Sequence, residues 1–400
     1  MINSSIYRGV RGWKKPIHIS KSIAAKTYLK ALRNIDIIAI TGSVGKTLTQ
    51  NAISAVLSQK YKVAVGDENL DPTFRIPQTI SKMAPWTQKV VLEYGIEHPG
   101  DMDHYLNIAK PKISVLTHVA PTHLKYFGSV HGVFDEKSKL VSALPKNGFA
   151  VLNADDPLVA KMANLTVAKI LWFGKKAKEG VKISHFTQSP KGSKFRLHFQ
   201  GQKASVGWKV IGEHQLTSAY AAATVGIASG LTLKQIAKGL SLVKPPIHRL
   251  NVIINSKFTI LDDTYNSSPL AVQESLKTLI AFGKNKPKIA ILGEMRDQGE
   301  HSQTVHFKIG QIIGKSNLSG LFTIGEVAKI ISDSAKKNGF KGTTRNFQNT
   351  KIAMPYIKKS LKKNAIVLVK GSRHEHLERL VDGLLGKSTS LTCYHCGLLE

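Results

Sequence analysis

Residues 40–49 read Ile-Thr-Gly-Ser-Val-Gly-Lys-Thr-Leu-Thr, directly after the apolar run Ile37-Ile38-Ala39. The apolar run reads as a strand. The residues from Asn51 to Gln59 carry apolar positions at helical spacing, so Thr41-Gly42-Ser43-Val44-Gly45-Lys46-Thr47 is a turn between strand and helix. Such a turn points free backbone N–H groups at one spot, the helix dipole adds positive potential, and Lys46 adds a full charge. The natural guest is a phosphate chain, with the Thr47 hydroxyl placed for a phosphate-bound Mg²⁺. The strict pattern has a glycine where Ile40 stands, so this is a shortened phosphate loop.

Working outward, strands and helices alternate from Ile37 to about Ala150. Lys89-Val90-Val91-Leu92-Glu93-Tyr94 reads as a buried strand ending in a carboxylate, and Ile113-Ser114-Val115-Leu116-Thr117 as another. This βαβ order predicts a mainly parallel sheet covered on both faces. Ligands then collect at the carboxyl ends of the strands, where the phosphate loop, Glu93 and the segment around His123 would meet. Between about Val167 and Val210 short β-like runs predict an antiparallel extension, followed by helices over Gln215–Gly230 and Leu233–Leu242. Pro245-Pro246 reads as a hinge. A second alternation begins near Leu250, with strands at 259–262, 288–292, 320–324 and 365–369, giving a separate Rossmann-like α/β unit. The expected organisation is a basic leader (1–35), a central P-loop ATPase domain (36–246), a C-terminal Rossmann-like domain (247–386) and a loose tail (387–400).

The chain has 400 residues, enough for two or three domains, and 42% hydrophobic residues, ordinary for a globular protein. No apolar run approaches the ~20 residues of a membrane span and no signal-peptide core is present, so a cytoplasmic protein is expected. The only cysteines, Cys393 and Cys396, frame an incidental tail that lacks a second ligand pair for a metal. The formal net charge is +31, but the lysines are scattered along the chain without a recognisable nucleic-acid module. They read as solvated surface that also favours an anionic substrate, with no strong case for a nucleic-acid or membrane partner. The leader carries Arg8, Arg11, Lys14, Lys15, Lys21, Lys26, Lys30 and Arg33, and a helix is expected from about Ser20 to Leu32. Its apolar face of Ile23, Tyr28, Leu29 and Leu32 is expected to dock on the body of the protein.

The motifs TGSVGKT, VVLEYG, PTHLKYFGSVHGVFDEKSKL, VLNADD, GEHQLTSAYAAA, IHRL, LDDTYNSSP, LGEMRDQGEHSQTVH and LVKGSR together resemble those of the Mur ligases. The resemblance runs from about Ile37 to Leu384, and the late motifs look most like the D-alanyl-D-alanine-adding branch. These ligases use ATP to add amino acids or a dipeptide to the UDP-linked muramic acid precursor of peptidoglycan. The resemblance implies an ADP-forming amide-bond ligase, expected as a monomer, that acts on a peptide carboxylate and an amino acid or dipeptide. It implies ATP on residues 41–47, with Lys46 on the β- and γ-phosphates. Two Mg²⁺ ions are implied, one served by Thr47 and Glu93, the other by His123 and by Lys137 as its carbamate. Lys137 rather than Lys139 falls at the matching place after His123. Gln215, Arg249 and Asp263 become nucleotide contacts, and Asn266, Lys370, Ser372 and Arg373 the substrate side.

The physical reading agrees. An amide cannot form from a carboxylate in water without activation, here as an acyl phosphate, and two anions must meet among cations. Three departures stand out. Gln215 and Ser218 replace the asparagines usual beside adenine. The segment Asn69-Leu70-Asp71-Pro72-Thr73-Phe74-Arg75 departs from the family at the substrate side, and the phosphate loop begins about 40 residues in, where a folded UDP-binding domain of ~50 residues or more would precede it. A folylpolyglutamate-type or cyanophycin-type ligase, and a non-catalytic nucleotide-binding protein, are the alternatives.

Overall fold

The computed structural model describes residues 6–8, 10–32, 34–66, 71–283 and 285–387. The Cys393–Cys396 tail lies outside the described residues. The first sheet is built from β1 (Asp36–Thr41), β2 (Val63–Val65), β3 (Lys89–Glu93), β4 (Ile113–Leu116), β5 (Phe149–Asn153) and β6 (Lys169–Phe173). Its order is β2-β3-β1-β4-β5-β6, and every pair is parallel. Such strands are buried on both faces, which is why β1, β3 and β4 read as continuous apolar runs rather than alternating ones. One face packs Ile38, Ile40, Ile53 and Val56 against the small-residue helix Leu216–Ala228, and the other packs Ala39, Val90, Leu92 and Leu140. The alanines of that helix let it lie close to the helix Lys46–Leu57.

An antiparallel sheet follows, β7 (Lys182–Ser189), β8 (Gly192–Phe199) and β9 (Gln202–Trp208), with an irregularity between Ser184 and Thr187. The second α/β unit holds β10 (Asn251–Ile254), β11 (Phe258–Asp263), β12 (Lys288–Leu292), β13 (Gly320–Ile324), β14 (Thr343–Phe347) and β15 (Ala365–Lys370) in the order β10-β11-β15-β12-β13-β14. Only the β10–β11 pair is antiparallel. The place of β15 between β11 and β12 brings Asp263 beside Lys370, the last residues of their strands, in direct register.

The leader helix starts earlier than the sequence suggests, at Lys15, and runs to Ala31, because Pro16 in the first turn needs no intrahelical donor. Tyr28, Leu29 and Leu32 pack on the body as expected, but Ile23 does not: it is 53% exposed on the opposite side. No helix of the described residues is long and apolar enough to cross a membrane.

Candidate active site

The phosphate loop leaves the buried end of β1 and enters the helix Lys46–Leu57. Gly42 passes so close to β4 that a Cβ there would lie 1.9 Å from Thr117 Oγ1, and Gly45 takes φ +80° at the helix start. Both positions therefore need glycine. The loop is tied from below: Thr117 Oγ1 donates to the Val44 carbonyl (2.6 Å), Ser43 N–H to the His118 carbonyl (2.7 Å), and Thr41 Oγ1 to the Tyr94 carbonyl (2.7 Å). Ser43 Oγ bonds both backbone groups of Ala120 at 2.9 Å. Thr41 and Ser43 thus shape the loop through their side chains, leaving backbone donors at its rim for phosphate.

Thr47 Oγ1 donates to Glu93 Oε2 at 2.8 Å, joining the loop to the end of β3. Lys46 is half-buried beside them; desolvation pulls its ammonium pKa down, and the Glu93 carboxylate opposes that pull. Arg75 comes in from the helix Pro72–Lys82 with a guanidinium nitrogen 3.6 Å from Glu93 Oε2, both side chains being buried. Burial would raise the Glu93 carboxyl, but Arg75 and Lys46 outweigh it and hold the group below the usual carboxylate range.

His123 takes a left-handed conformation (φ 53°) at the start of the short helix Leu124–Phe127. Its Nδ1 faces Asp297 of the second unit at 3.4 Å, and the Lys125 N–H donates to the Asp297 carbonyl (3.2 Å). The His123 imidazole is the main cause holding the Asp297 carboxyl low. Glu97 faces the same spot, raised by burial and by Asp71 and Asp297, with His123 acting against them. Lys137, on the helix Val130–Ser142, is 2% exposed and forms no hydrogen bond or ion pair with a described residue. Burial, then Lys46, push its amine well below the usual lysine range, while Glu93 and Glu136 act in the other direction. Lys139 lies outside, bonded to Asp103 (2.6 Å) and Glu136 (2.8 Å). The two lysines are separated by burial, which their spacing alone does not reveal.

From the second unit, the Arg249 guanidinium stacks 3.9 Å over the Tyr265 ring and lies close enough to depress Lys46, while Arg373 sits 5.4 Å from the same ring. Lys370 is 2% exposed and donates to Asp263 Oδ2 (2.7 Å) and the Asn266 carbonyl (2.9 Å). Asp263 also accepts from Ser275 Oγ (2.6 Å), and Asn266 Oδ1 accepts the Ser267 N–H (2.8 Å). Asp263, Asn266 and Lys370 therefore brace one another. Ser372 Oγ and Arg373 Nε, by contrast, are buried without a hydrogen-bond partner. Ser218 bonds Thr49 Oγ1 at 2.9 Å, packing its helix against the phosphate-loop helix, and Gln215 closes the turn Glu213–Gln215 at the cavity wall. His214 beside it is held neutral, its pKa lowered to about 4 by burial against the opposing pull of Glu274.

Of the site residues nominated from the sequence, all but Thr41, Gly42 and Lys137 line a single cavity of about 1100 Å³ between the two units. Sequence reasoning left Asp297 and Glu97 unassigned and treated Arg75 only as an odd residue in a loop. The signal for Asp297 was its place in LGEMRDQGEHSQTVH; Glu97 carried none beyond its closeness to Glu93. Among the described residues no three His, Cys, Asp or Glu side chains converge into a ready metal cage. Mg²⁺ in phosphate sites takes one or two carboxylates with phosphate and water, and a carboxylate hydrogen-bonded to a hydroxyl at the loop rim fits that pattern. The His123 ring, whose Nδ1 faces Asp297, stands at the same cavity as a further candidate donor.

A central parallel α/β unit with a phosphate loop, facing a second α/β unit across a cleft lined by both cations and carboxylates, defines an ATP-using ligase class. The chain matches the Mur ligase middle domain over residues 40–226 and the Mur ligase, glutamate ligase domain over residues 248–373. It is 31% identical to the UDP-N-acetylmuramoyl-tripeptide--D-alanyl-D-alanine ligase of Buchnera aphidicola, over 90% of this chain and 77% of that protein. Among solved structures it is similar to MurF from Acinetobacter baumannii (TM-score 0.85, 25% identity, 92% of this chain and 81% of that one). MurF from Thermotoga maritima in complex with ADP is also similar (TM-score 0.82, 25% identity, 92% and 84%). The chain belongs to the Mur ligase family.

Proposed function

We propose that this chain is an ATP-dependent, ADP-forming carboxylate–amine ligase that joins a D-alanyl-D-alanine-like dipeptide to the peptide carboxylate of a peptidoglycan precursor. One observation carries the reading: the cavity has Lys46, Thr47 and Glu93 on one wall and Arg249, Ser372 and Arg373 on the other. The loop N–H groups and Lys46 hold the β- and γ-phosphates, and Arg249 reaches them from the second unit. Thr47 and Glu93, and separately His123, would hold Mg²⁺, which would supply charge neutralisation where two anions must approach. Lys46 stabilises the charge that spreads over the transferred phosphoryl group. The acceptor carboxylate takes that group to give an acyl phosphate and ADP. The amine then attacks the acyl carbon, and phosphate leaves as the amide forms.

The buried, unpartnered Ser372 Oγ and Arg373 Nε suit the free carboxylate of the incoming dipeptide. Asn266 is placed beside them through Lys370. Lys137 supports the second ion as its carbamate: its neutral amine adds to CO₂ and releases one proton, converting the site to an anion. The depressed lysine pKa is what that addition requires, since only the unprotonated amine reacts. Gln215 and Asp263 stand at the nucleotide end. Arg75 narrows the acceptor side, so acceptor choice differs from relatives with a smaller residue there. The test is positional isotope exchange in β,γ-bridge-labelled ATP with the peptide acceptor and no amine. Scrambling that needs the acceptor supports the acyl phosphate; absence of scrambling alongside active ligation refutes it.

A further inference from the structure

The leader helix Lys15–Ala31 is apolar on two sides. One side is fixed to the body: Ser22 and Ala25 are buried, and Lys26 Nζ bonds Asn107 Oδ1 (2.6 Å). The preceding segment is anchored as firmly. Tyr7 is fully buried, with its hydroxyl 2.8 Å from Ser22 Oγ, and Arg8 bonds Asp101 Oδ1 (3.0 Å). The opposite side is therefore exposed in the docked state, not for want of docking.

That opposite side carries Trp13 (67% exposed), Ile17 (46%) and Ile23 (53%), with Pro16, Ser20, Ala24 and Thr27 also exposed. At 100° per residue these helical positions occupy about 120° of one side, Ile17 and Ile23 at its edges and Ser20, Ala24 and Thr27 between them, and Trp13 stands in the turn Gly12–Lys14 just before the helix. Lys14, Lys21 and Lys30 are exposed along its borders. The sequence holds no aspartate or glutamate before Asp36. A second exposed indole, Trp86 (72%), stands in the loop after the helix Pro72–Lys82, and Tyr28 Oη bonds the Met83 carbonyl of that loop (3.0 Å). Single exposed apolar residues need no explanation; an indole-bearing apolar stripe bordered only by cations does.

We propose that this stripe docks on the surface of an anionic lipid bilayer. A helix with Trp and Ile on one face and lysines at its margins lies in the headgroup plane, the indoles at the interface and the ammonium groups on lipid phosphates. The chain's net charge of +31 adds long-range attraction to such a surface. A nucleic acid is the less suitable partner, because its phosphates would meet the apolar centre of a convex face rather than a cationic groove. Docking there would hold the neighbouring acceptor side of the cavity close to a membrane. The surface does not depend on the ligase assignment.

The experiment is co-flotation of the full chain with vesicles of phosphatidylcholine alone or mixed with phosphatidylglycerol. Partitioning should be about tenfold or more stronger on the anionic vesicles and weaken with added salt. The triple variant Trp13→Ser/Ile17→Ser/Ile23→Ser should lose about tenfold of that partitioning while its melting temperature and ATP turnover stay unchanged. Lys14→Gln/Lys21→Gln/Lys30→Gln should do the same. Equal partitioning on both lipid mixtures, wild-type partitioning by both variants, or displacement from vesicles by stoichiometric duplex DNA would overturn the proposal.

Discussion

Replacing Lys137 by alanine separates two roles that a buried lysine can have. In the fold its amine is pushed well below the lysine range, chiefly by burial and next by Lys46. For the uncarbamylated amine, as in bicarbonate-free buffer, the unfolded chain therefore binds the extra proton at neutral pH, so this site subtracts from stability there and recovers it as pH rises. Lys137→Ala should leave the melting temperature unchanged or raise it. Its effect on turnover should be the reverse. Loss of one preorganised charge beside the transferred phosphoryl group is worth about 3–4 kcal/mol, or roughly 10²–10³ in kcat. The assay is ADP release at saturating ATP, Mg²⁺ and both substrates, in buffer with and without bicarbonate. Short carboxylates added to the variant should restore part of the rate by occupying the vacated space. Lys139→Ala is the control: its amine is partly exposed, it lies outside the cavity, and its buried partner Glu136 keeps the Gly100 and Met102 N–H bonds, so turnover should change by only a few-fold. A fully active Lys137→Ala enzyme, or a rate indifferent to bicarbonate and carboxylates, would refute the carbamate.

Lys46→Ala should reduce ATP turnover to background without unfolding the protein, because the half-buried lysine lines the cavity and its ammonium is already disfavoured; unchanged turnover contradicts the phosphate-site assignment. Arg75→Met removes a cation 3.6 Å from Glu93, so the half-saturating Mg²⁺ concentration should fall by about tenfold, and a rise would show that Arg75 helps to hold the metal–nucleotide pair. His104 is buried with both ring nitrogens unpartnered, and burial lowers its pKa to about 4. Its neutral form is thus favoured in the fold, and that stability is present above about pH 6.5 and lost as pH falls toward 4, amounting to about 3 kcal/mol. His104→Phe should flatten the fall of the urea midpoint across that window, and an unchanged slope contradicts the assignment.

The sequence made the phosphate loop legible because a strand, two glycines, a lysine and a helix are local features whose geometry follows from their order. The carboxylate at the end of β3 was equally plain, since a buried parallel strand must deliver its last side chain to the sheet's carboxyl edge. Contacts between distant segments were not legible. Nothing near Arg75 announces that its guanidinium turns onto Glu93, and His123 and Asp297 meet only when the two units close on each other. Lys370 reads as a substrate-side cation at the end of a strand, and strand register sets its amine on Asp263. Ser218, one of two residues standing where the family has asparagine, has its hydroxyl on Thr49 of the phosphate-loop helix, a contact that its place in the motif did not announce. Ile23 was misread because the leader helix is apolar on both sides, so periodicity alone could not say which side docks.

The most direct measurement combines the chain with MgATP, a UDP-linked muramoyl tripeptide and D-alanyl-D-alanine, following ADP release and the mass of the product. Release of ADP that requires both partners, together with a product heavier than the tripeptide acceptor by the dipeptide less one water, is the predicted result. ATP binding without ADP release under any pairing of peptide carboxylate and amine would contradict it and leave a nucleotide-binding protein in place of a ligase.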